Sequence, residues 1–184
     1  MSLVLARTLA LVGAAALAPA AQATTQVVTF NVLNASATLT TPLQAGDSLR
    51  LDTLVTTQIG SLVQDVTFTL APGVDSFTGR AAWEISTAAG PGPRLVGVNI
   101  DIFDAANVLV ASDAFAGTLA GFALSSFAGA IGPGTYRLHA TGTGVRESSL
   151  DVTLSFLTAV PEPGTYAMFL AGLGVLVFMA RRRA

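Results

Sequence analysis

The chain has 184 residues, of which 52% are hydrophobic and only 11% are charged, and this length allows one ordinary domain plus terminal signals. It contains no cysteine, which excludes disulfides, thiolate metal sites and cysteine nucleophiles. Residues 24–160 hold five arginines against ten carboxylates, a net charge of −5. Such an acidic segment without basic clusters argues against nucleic-acid binding and against docking of the domain on anionic lipid.

The N-terminus has the parts of a secretory leader. Arg7 precedes a short apolar run from Thr8 to Ala18, and the small-residue sequence Ala21-Gln22-Ala23 follows. A basic start, a short apolar stretch and an A-x-A site are typical of a leader that is cut after the last alanine. The run is shorter than the ~20 apolar residues that span a membrane. We predict a signal peptide over 1–23, with signal peptidase and the secretion machinery as partners.

The middle of the chain alternates apolar and polar residues, which is typical of strands with one buried face. The apolar positions of this alternation are Val28, Phe30, Val32, Leu49, Leu51, Val66, Phe68, Leu70, Val96, Val98, Ile100, Ile102, Tyr136, Leu138, Ala140, Leu150, Val152, Leu154 and Phe156. Turn signals separate the runs: Ala45-Gly46-Asp47, Ala71-Pro72-Gly73, Gly90-Pro91-Gly92-Pro93, Gly132-Pro133-Gly134 and Gly142-Thr143-Gly144. Only 113–127 is ambiguous.

These patterns predict an all-β domain over 24–158 with about eight to ten short strands. The spacing favours an antiparallel β-sandwich, jelly-roll or Ig-like, although a barrel remains open. The full fold class expected is this sandwich flanked by an N-terminal signal helix and a C-terminal transmembrane helix.

The domain offers few groups for catalysis or metal binding. His139 is its only histidine, so a Ser-His-Asp arrangement would have to use it, and zinc would lack ligands. We expect a solvent-facing strand histidine and no catalytic residue. Asp101 and Asp104 are weak calcium candidates, with Asn99 and Asn107 nearby, but a turn explains Asp104 and Asn107 better. We predict no metal and no cofactor.

The sequence contains candidate residues for carbohydrate binding or hydrolysis but does not show which of them is used. Trp83 and Tyr136 are aromatic side chains of the type that stack on sugars, but Trp83 is expected in the core. Two carboxylates out of the ten could meet in space and hydrolyse glycans, and no pair stands out.

The C-terminus is tripartite. Pro161-Glu162-Pro163 holds the chain extended, because proline disfavours helix at and before its own position. The apolar stretch 165–180 follows, long enough for a helix of about 24 Å, and Arg181, Arg182 and Arg183 end it. The positive-inside rule puts this arginine cluster in the cytoplasm and the domain outside. The leader independently predicts the same orientation.

This tail resembles the PEP-CTERM sorting signal, with Pro161-Glu162-Pro163 as its name motif, and we assign the signal to 159–184. The resemblance implies an exosortase as partner, a membrane-embedded protease expected to cut near the motif in Gram-negative bacteria that make exopolysaccharide and biofilm. The domain resembles the FxDxF-type PEP-CTERM family in the runs 60–70 and 134–143. In place of Phe-x-Asp-x-Phe this chain has Leu62-Val63-Gln64-Asp65-Val66, so the acidic residue is missing or displaced to Asp65.

Three functions are compatible with these features. The first is a non-catalytic surface or extracellular-matrix protein that touches the membrane only transiently as a precursor and then joins extracellular polysaccharide. The second is a secreted glycan-active enzyme or carbohydrate-binding module on the same sandwich. The third is a periplasmic domain that keeps its tail as a tether. The sequence does not identify the polymer or ligand.

Overall fold

The computed structural model describes residues 22–55, 58–86 and 92–158. Within these ranges the chain is all-β, with eleven strands in two sheets. The six-stranded sheet contains, in spatial order, β1 (Thr25–Phe30), β3 (Ser48–Val55), β11 (Ser148–Leu157), β5 (Ser76–Glu84), β9 (Phe122–Ala130) and β8 (Ala114–Leu119). The five-stranded sheet contains β2 (Asn34–Thr38), β4 (Gly60–Leu70), β10 (Gly134–Gly144), β6 (Leu95–Asp104) and β7 (Leu109–Ser112).

Both sheets are mixed, which corrects the expectation of a purely antiparallel fold. Strand β1 pairs parallel with β3, and β2 pairs parallel with β4. The remaining strand pairs of the two sheets are antiparallel. Sequence alternation could not reveal this difference, because it specifies which face of a strand is buried and not the direction of its neighbour.

Apolar side chains from both sheets meet in one core. Phe68 of β4 and Phe156 of β11 belong to opposite sheets, and their ring centroids lie 5.6 Å apart. Strand β11 buries all four of its predicted apolar residues, Leu150, Val152, Leu154 and Phe156. The two sheets therefore pack in a β-sandwich-like arrangement around this core.

Strand β6 departs from simple alternation. Leu95 is buried, whereas Val96 and Val98, which were predicted to face the core, are only half-buried. The register with β10 shifts where Gly97 and Val98 stand opposite the single residue Gly142. Gly97 has a φ of 60°, a left-handed conformation that glycine adopts easily. This β-bulge reverses the phase of the strand, and a period-two pattern cannot anticipate it.

Three further expectations change in the structure. Val32 is exposed, because β1 ends before it. The predicted turn Gly142-Thr143-Gly144 lies inside β10; a Cβ atom on Gly142 would lie 3.3 Å from the carbonyl oxygen of Val96, so the glycine allows the bulge to approach closely. The ambiguous segment 113–127 contributes β8 and most of β9, which pair antiparallel.

A buried amide links the two sheets. Gln64 of β4 is fully buried, and its side-chain oxygen accepts a hydrogen bond of 2.7 Å from the hydroxyl of Thr53 in β3. Its side-chain nitrogen donates to the carbonyl oxygen of Val32 at 2.8 Å. Buried polar groups are stable only when they are hydrogen-bonded in this way.

Replacing Gln64 by leucine is expected to lower the free energy of unfolding by about 1–3 kcal/mol, because the Thr53 hydroxyl and the Val32 carbonyl lose their partners. Urea denaturation of the purified protein measures the loss. Gln26→Leu is the matched control, since the Gln26 amide bonds the Thr41 carbonyl in an exposed position that water can reach. Equal losses in both variants would contradict the role of the buried amide.

Candidate functional site

A row of polar residues crosses the outer face of the five-stranded sheet. Ser36 of β2, Asp65 of β4, His139 of β10, Asp101 of β6 and Ser112 of β7 are successive cross-strand partners. Directly paired residues share one face of a sheet, so the five side chains are neighbours there. We call this set the polar row.

Asp65 is the centre of an ion-paired cluster in the polar row. Its Oδ1 lies 2.8 Å from Nδ1 of His139 and accepts a second hydrogen bond of 2.8 Å from Nη1 of Arg137. The Arg137 guanidinium lies 4.8 Å from the centroid of the Phe103 ring, a cation–π contact. His139 lies on the outer face as expected, but these neighbours leave its side chain only 23% exposed.

The electrostatics of Asp65 follow from its neighbours. Burial raises the pKa of Asp65, but the hydrogen bonds and positive charges of Arg137 and His139 outweigh burial, so the pKa lies below its ordinary value of 3.8. The carboxylate is therefore ionised at neutral pH and engaged by two donors. This arrangement suits cross-strand bonding between β4 and β10.

We expect Asp65 to stabilise the fold at neutral pH and to lose that contribution on acidification. Because its folded pKa is lower than its unfolded pKa, the stabilisation is complete above about 3.8 and disappears as the pH falls through the folded value. Urea denaturation between pH 2 and 6 should show a shallower acid slope for Asp65→Asn than for the unmodified protein. Identical slopes would contradict the ion-paired geometry.

The two calcium candidates do not converge. Asp101 lies in the polar row, where its Oδ2 accepts a hydrogen bond from Nδ2 of Asn99 at 2.6 Å. Asp104 is three residues further along the strand, and its Oδ1 accepts the backbone N–H groups of Ala106 and Val108 at 2.9 and 2.8 Å. It thus closes a turn, as Asp commonly does. Among the described residues, no group of three or more His, Cys, Asp or Glu side chains could hold a metal ion.

The two aromatic candidates for sugar stacking make contacts within the domain. Trp83 is buried in the core at 7% exposure. Tyr136 stacks on Phe68 with a centroid separation of 6.0 Å, and its hydroxyl donates to the carbonyl oxygen of Gly132 at 3.0 Å. Trp83 therefore offers no exposed ring, whereas Tyr136 is half-buried and packs against the core.

The outer face of the six-stranded sheet carries many hydroxyl side chains, together with exposed apolar residues such as Val27, Leu54 and Phe122. We call it the hydroxyl face, and its hydroxyl residues include Thr25, Thr29, Ser48, Thr78, Ser126, Ser149, Thr153 and Ser155. An open groove of about 430 Å³ runs over it, lined in part by Arg80, Leu124, Ser126 and Thr153. Beside the groove, Arg50 contacts the carboxylates of both Asp52 and Asp151, which are cross-strand partners.

The processing residues predicted from the sequence lie at the two ends of the chain. Ala23 is exposed and immediately precedes Thr24, at the start of the described residues. Ala21 and the residues of the predicted leader before it lie outside the described residues, as do Pro161, Glu162, Pro163 and the cluster Arg181, Arg182 and Arg183. Across 22–55, 58–86 and 92–158, the structure has no helix with the length and hydropathy needed to cross a membrane.

Comparison with known proteins identifies the C-terminal segment. Residues 159–183 match the family described as the PEP-CTERM protein-sorting motif, which begins shortly after β11 ends at Leu157. No curated protein matches the chain. The motif implies export, a membrane-anchored precursor at the C-terminal region and processing by an exosortase. The chain therefore carries a PEP-CTERM protein-sorting motif C-terminal to its β domain.

Proposed function

We propose that the β domain is non-catalytic, that this sorting system exports it, and that its final location is the extracellular polysaccharide layer. The sorting motif over 159–183 is the observation that carries the proposal. The precursor has its β-sandwich domain in the periplasm and Arg181–Arg183 in the cytoplasm, and an exosortase cuts near Pro161-Glu162-Pro163. The mature domain then reaches the cell surface or the extracellular matrix, where it contributes to biofilm.

The position of the motif suits this role. Strand β11 ends at Leu157, and the proline-bracketed peptide follows it closely in the sequence. Proline at 161 and 163 keeps that peptide out of a helix. An extended peptide next to a short apolar segment is accessible to a protease in the membrane.

The hydroxyl face supports association with a neutral glycan. Its serine and threonine side chains offer both donors and acceptors, and the described charges near its groove are few and partly paired, with Arg50 contacting Asp52 and Asp151. Hydroxyl groups spread over several strands can match the hydroxyl groups of a polysaccharide through many weak bonds.

Co-sedimentation of the processed protein with the organism's own exopolysaccharide tests the proposal. We expect the unmodified protein to co-sediment and Thr78→Glu, on the hydroxyl face, to weaken retention severalfold. Thr135→Glu is the matched control, because Thr135 is exposed on the outer face of the other sheet, in β10. A mature protein that never associates with the polymer would refute the matrix role.

A glycan hydrolase on the same domain is the second candidate, because Asp52 and Asp151 bring two carboxylates together beside the groove. Hydrolysis of the same exopolysaccharide that is abolished by Asp52→Asn or Asp151→Asn would favour the enzyme over the matrix protein. A tethered periplasmic domain is the third candidate, and retention of Arg181–Arg183 in the mature form would favour it.

A further inference from the structure

Asp47 is a buried carboxylate beside the predicted leader junction. It is only 6% exposed and lies just before β3. Its Oδ1 accepts hydrogen bonds from the backbone nitrogen and the hydroxyl of Thr24 at 2.7 and 2.8 Å, and its Oδ2 accepts one from the backbone nitrogen of Gln44 at 2.7 Å. All three donors in the uncut chain are neutral.

Thr24 is the residue that leader cleavage after Ala23 would expose. Its backbone nitrogen would then change from a peptide N–H into an α-ammonium group, at the atom that already contacts Asp47. We propose that Asp47 is the binding site for the α-ammonium of Thr24, and that this ion pair fastens β1 in the processed protein. The inference rests on the proposed export and on cleavage after Ala23.

The electrostatic surroundings favour this pairing. Burial raises the pKa of Asp47, but the hydrogen bonds from Gln44 and Thr24 outweigh burial and lower it, so the carboxylate is ionised at neutral pH. An α-amino group has an ordinary pKa of about 7.7–8.0 and is mostly protonated there. The bond from the peptide N–H to the ionised carboxylate is already charge-assisted, and a protonated amine at the same atom adds the attraction between two opposite charges. Cleavage therefore supplies a cation to a buried anion.

The local geometry leaves room for the new group. A pocket of about 190 Å³ adjoins Thr24, and among the described residues that line it Asp47 is the only charged one. The carbonyl oxygen of Thr24 accepts a hydrogen bond of 2.8 Å from the backbone nitrogen of Ser48, at the beginning of the parallel β1–β3 pair. This hydrogen bond involves neither Gln22 nor Ala23, so we expect it to persist when they are removed.

The composition of the chain makes the contact measurable. The sequence has no lysine, so after processing the α-amine of Thr24 is the only primary amine. The experiment isolates the processed protein from cells, verifies its first residue by mass spectrometry and measures the rate of acetylation by an amine-reactive ester. We expect slow acetylation in the native protein and fast acetylation in urea.

The Asp47→Asn variant keeps an acceptor oxygen but removes the charge, and we expect it to accelerate native acetylation about tenfold, equivalent to about 1.4 kcal/mol. Asp52→Asn, an exposed carboxylate of the same strand pair, is the control and should leave the rate unchanged. In the unmodified protein, forced acetylation should lower the thermal midpoint although the amide keeps one N–H donor. This readout does not depend on the folding of the variant.

The outcomes separate this inference from the proposed function. An uncut leader would refute export itself, and with it the inference. A processed protein that begins at a residue other than Thr24 would overturn the inference alone. So would a Thr24 amine that reacts as fast in the native protein as in urea.

Discussion

Replacing Phe156 by alanine is expected to lower the free energy of unfolding by about 3–5 kcal/mol, because it opens a cavity between the sheets. Phe156 is fully buried and packs against Phe68 of the opposite sheet. Its strand, β11, is paired on both sides, with β3 and β5, so the surrounding backbone cannot easily collapse into the space. Urea denaturation of the purified protein gives the loss directly.

The matched control is Leu157→Ala, one residue along the same strand. Leu157 is 43% exposed, so its truncation should cost less than about 1 kcal/mol. A similar loss in both variants would show that β11 does not present Phe156 to the core.

Replacing Pro161-Glu162-Pro163 with three alanines is expected to abolish removal of the tail. Alanine has the highest helix propensity, so the substitution removes the two prolines that we predict hold this segment extended and favours helix there instead. Immunoblotting of membrane and extracellular fractions would then detect only the precursor-sized, membrane-bound species.

Thr158→Ala combined with Val160→Ala serves as the control for that experiment, since it alters the same linker and keeps the prolines. This variant should be processed normally. Release of the triple-alanine protein at the normal rate would refute recognition of the motif.

The sequence predicted the strands best where alternation runs uninterrupted. In β11 the four apolar residues all face the core, and in β4 Val66, Phe68 and Leu70 do so as well. The prediction failed at β6, because the β-bulge at Gly97 is a change in backbone conformation that a pattern of apolar residues does not reveal. The parallel edge pairs were also missed, since strand direction depends on long-range topology.

The register of β4 clarifies the resemblance to the FxDxF pattern. Leu62, Gln64 and Val66 all face the core, and Gln64 stands where the pattern has aspartate. Asp65 points to the outer face, so it is not a displaced equivalent in that register. Gln64 is instead a neutral side chain whose hydrogen bonds are made inside the core.

The polar row and the contact between Asp47 and Thr24 could not be predicted from the sequence, for a related reason. His139 and Asp65 are 74 residues apart, and only the register of β10 against β4 brings them together. Asp47 was interpreted as a turn residue, which its bond to Gln44 supports, but its bonds to Thr24 depend on the parallel pairing of β1 with β3. The sorting motif was predictable because it is defined by one short, continuous stretch of sequence.

The most direct measurement is the intact mass of the protein released from cells. We expect a species that begins at Thr24 and ends near Pro161-Glu162-Pro163, without Arg181–Arg183. A full-length chain that retains both its leader and its arginine cluster, found in the cytosol, would contradict it.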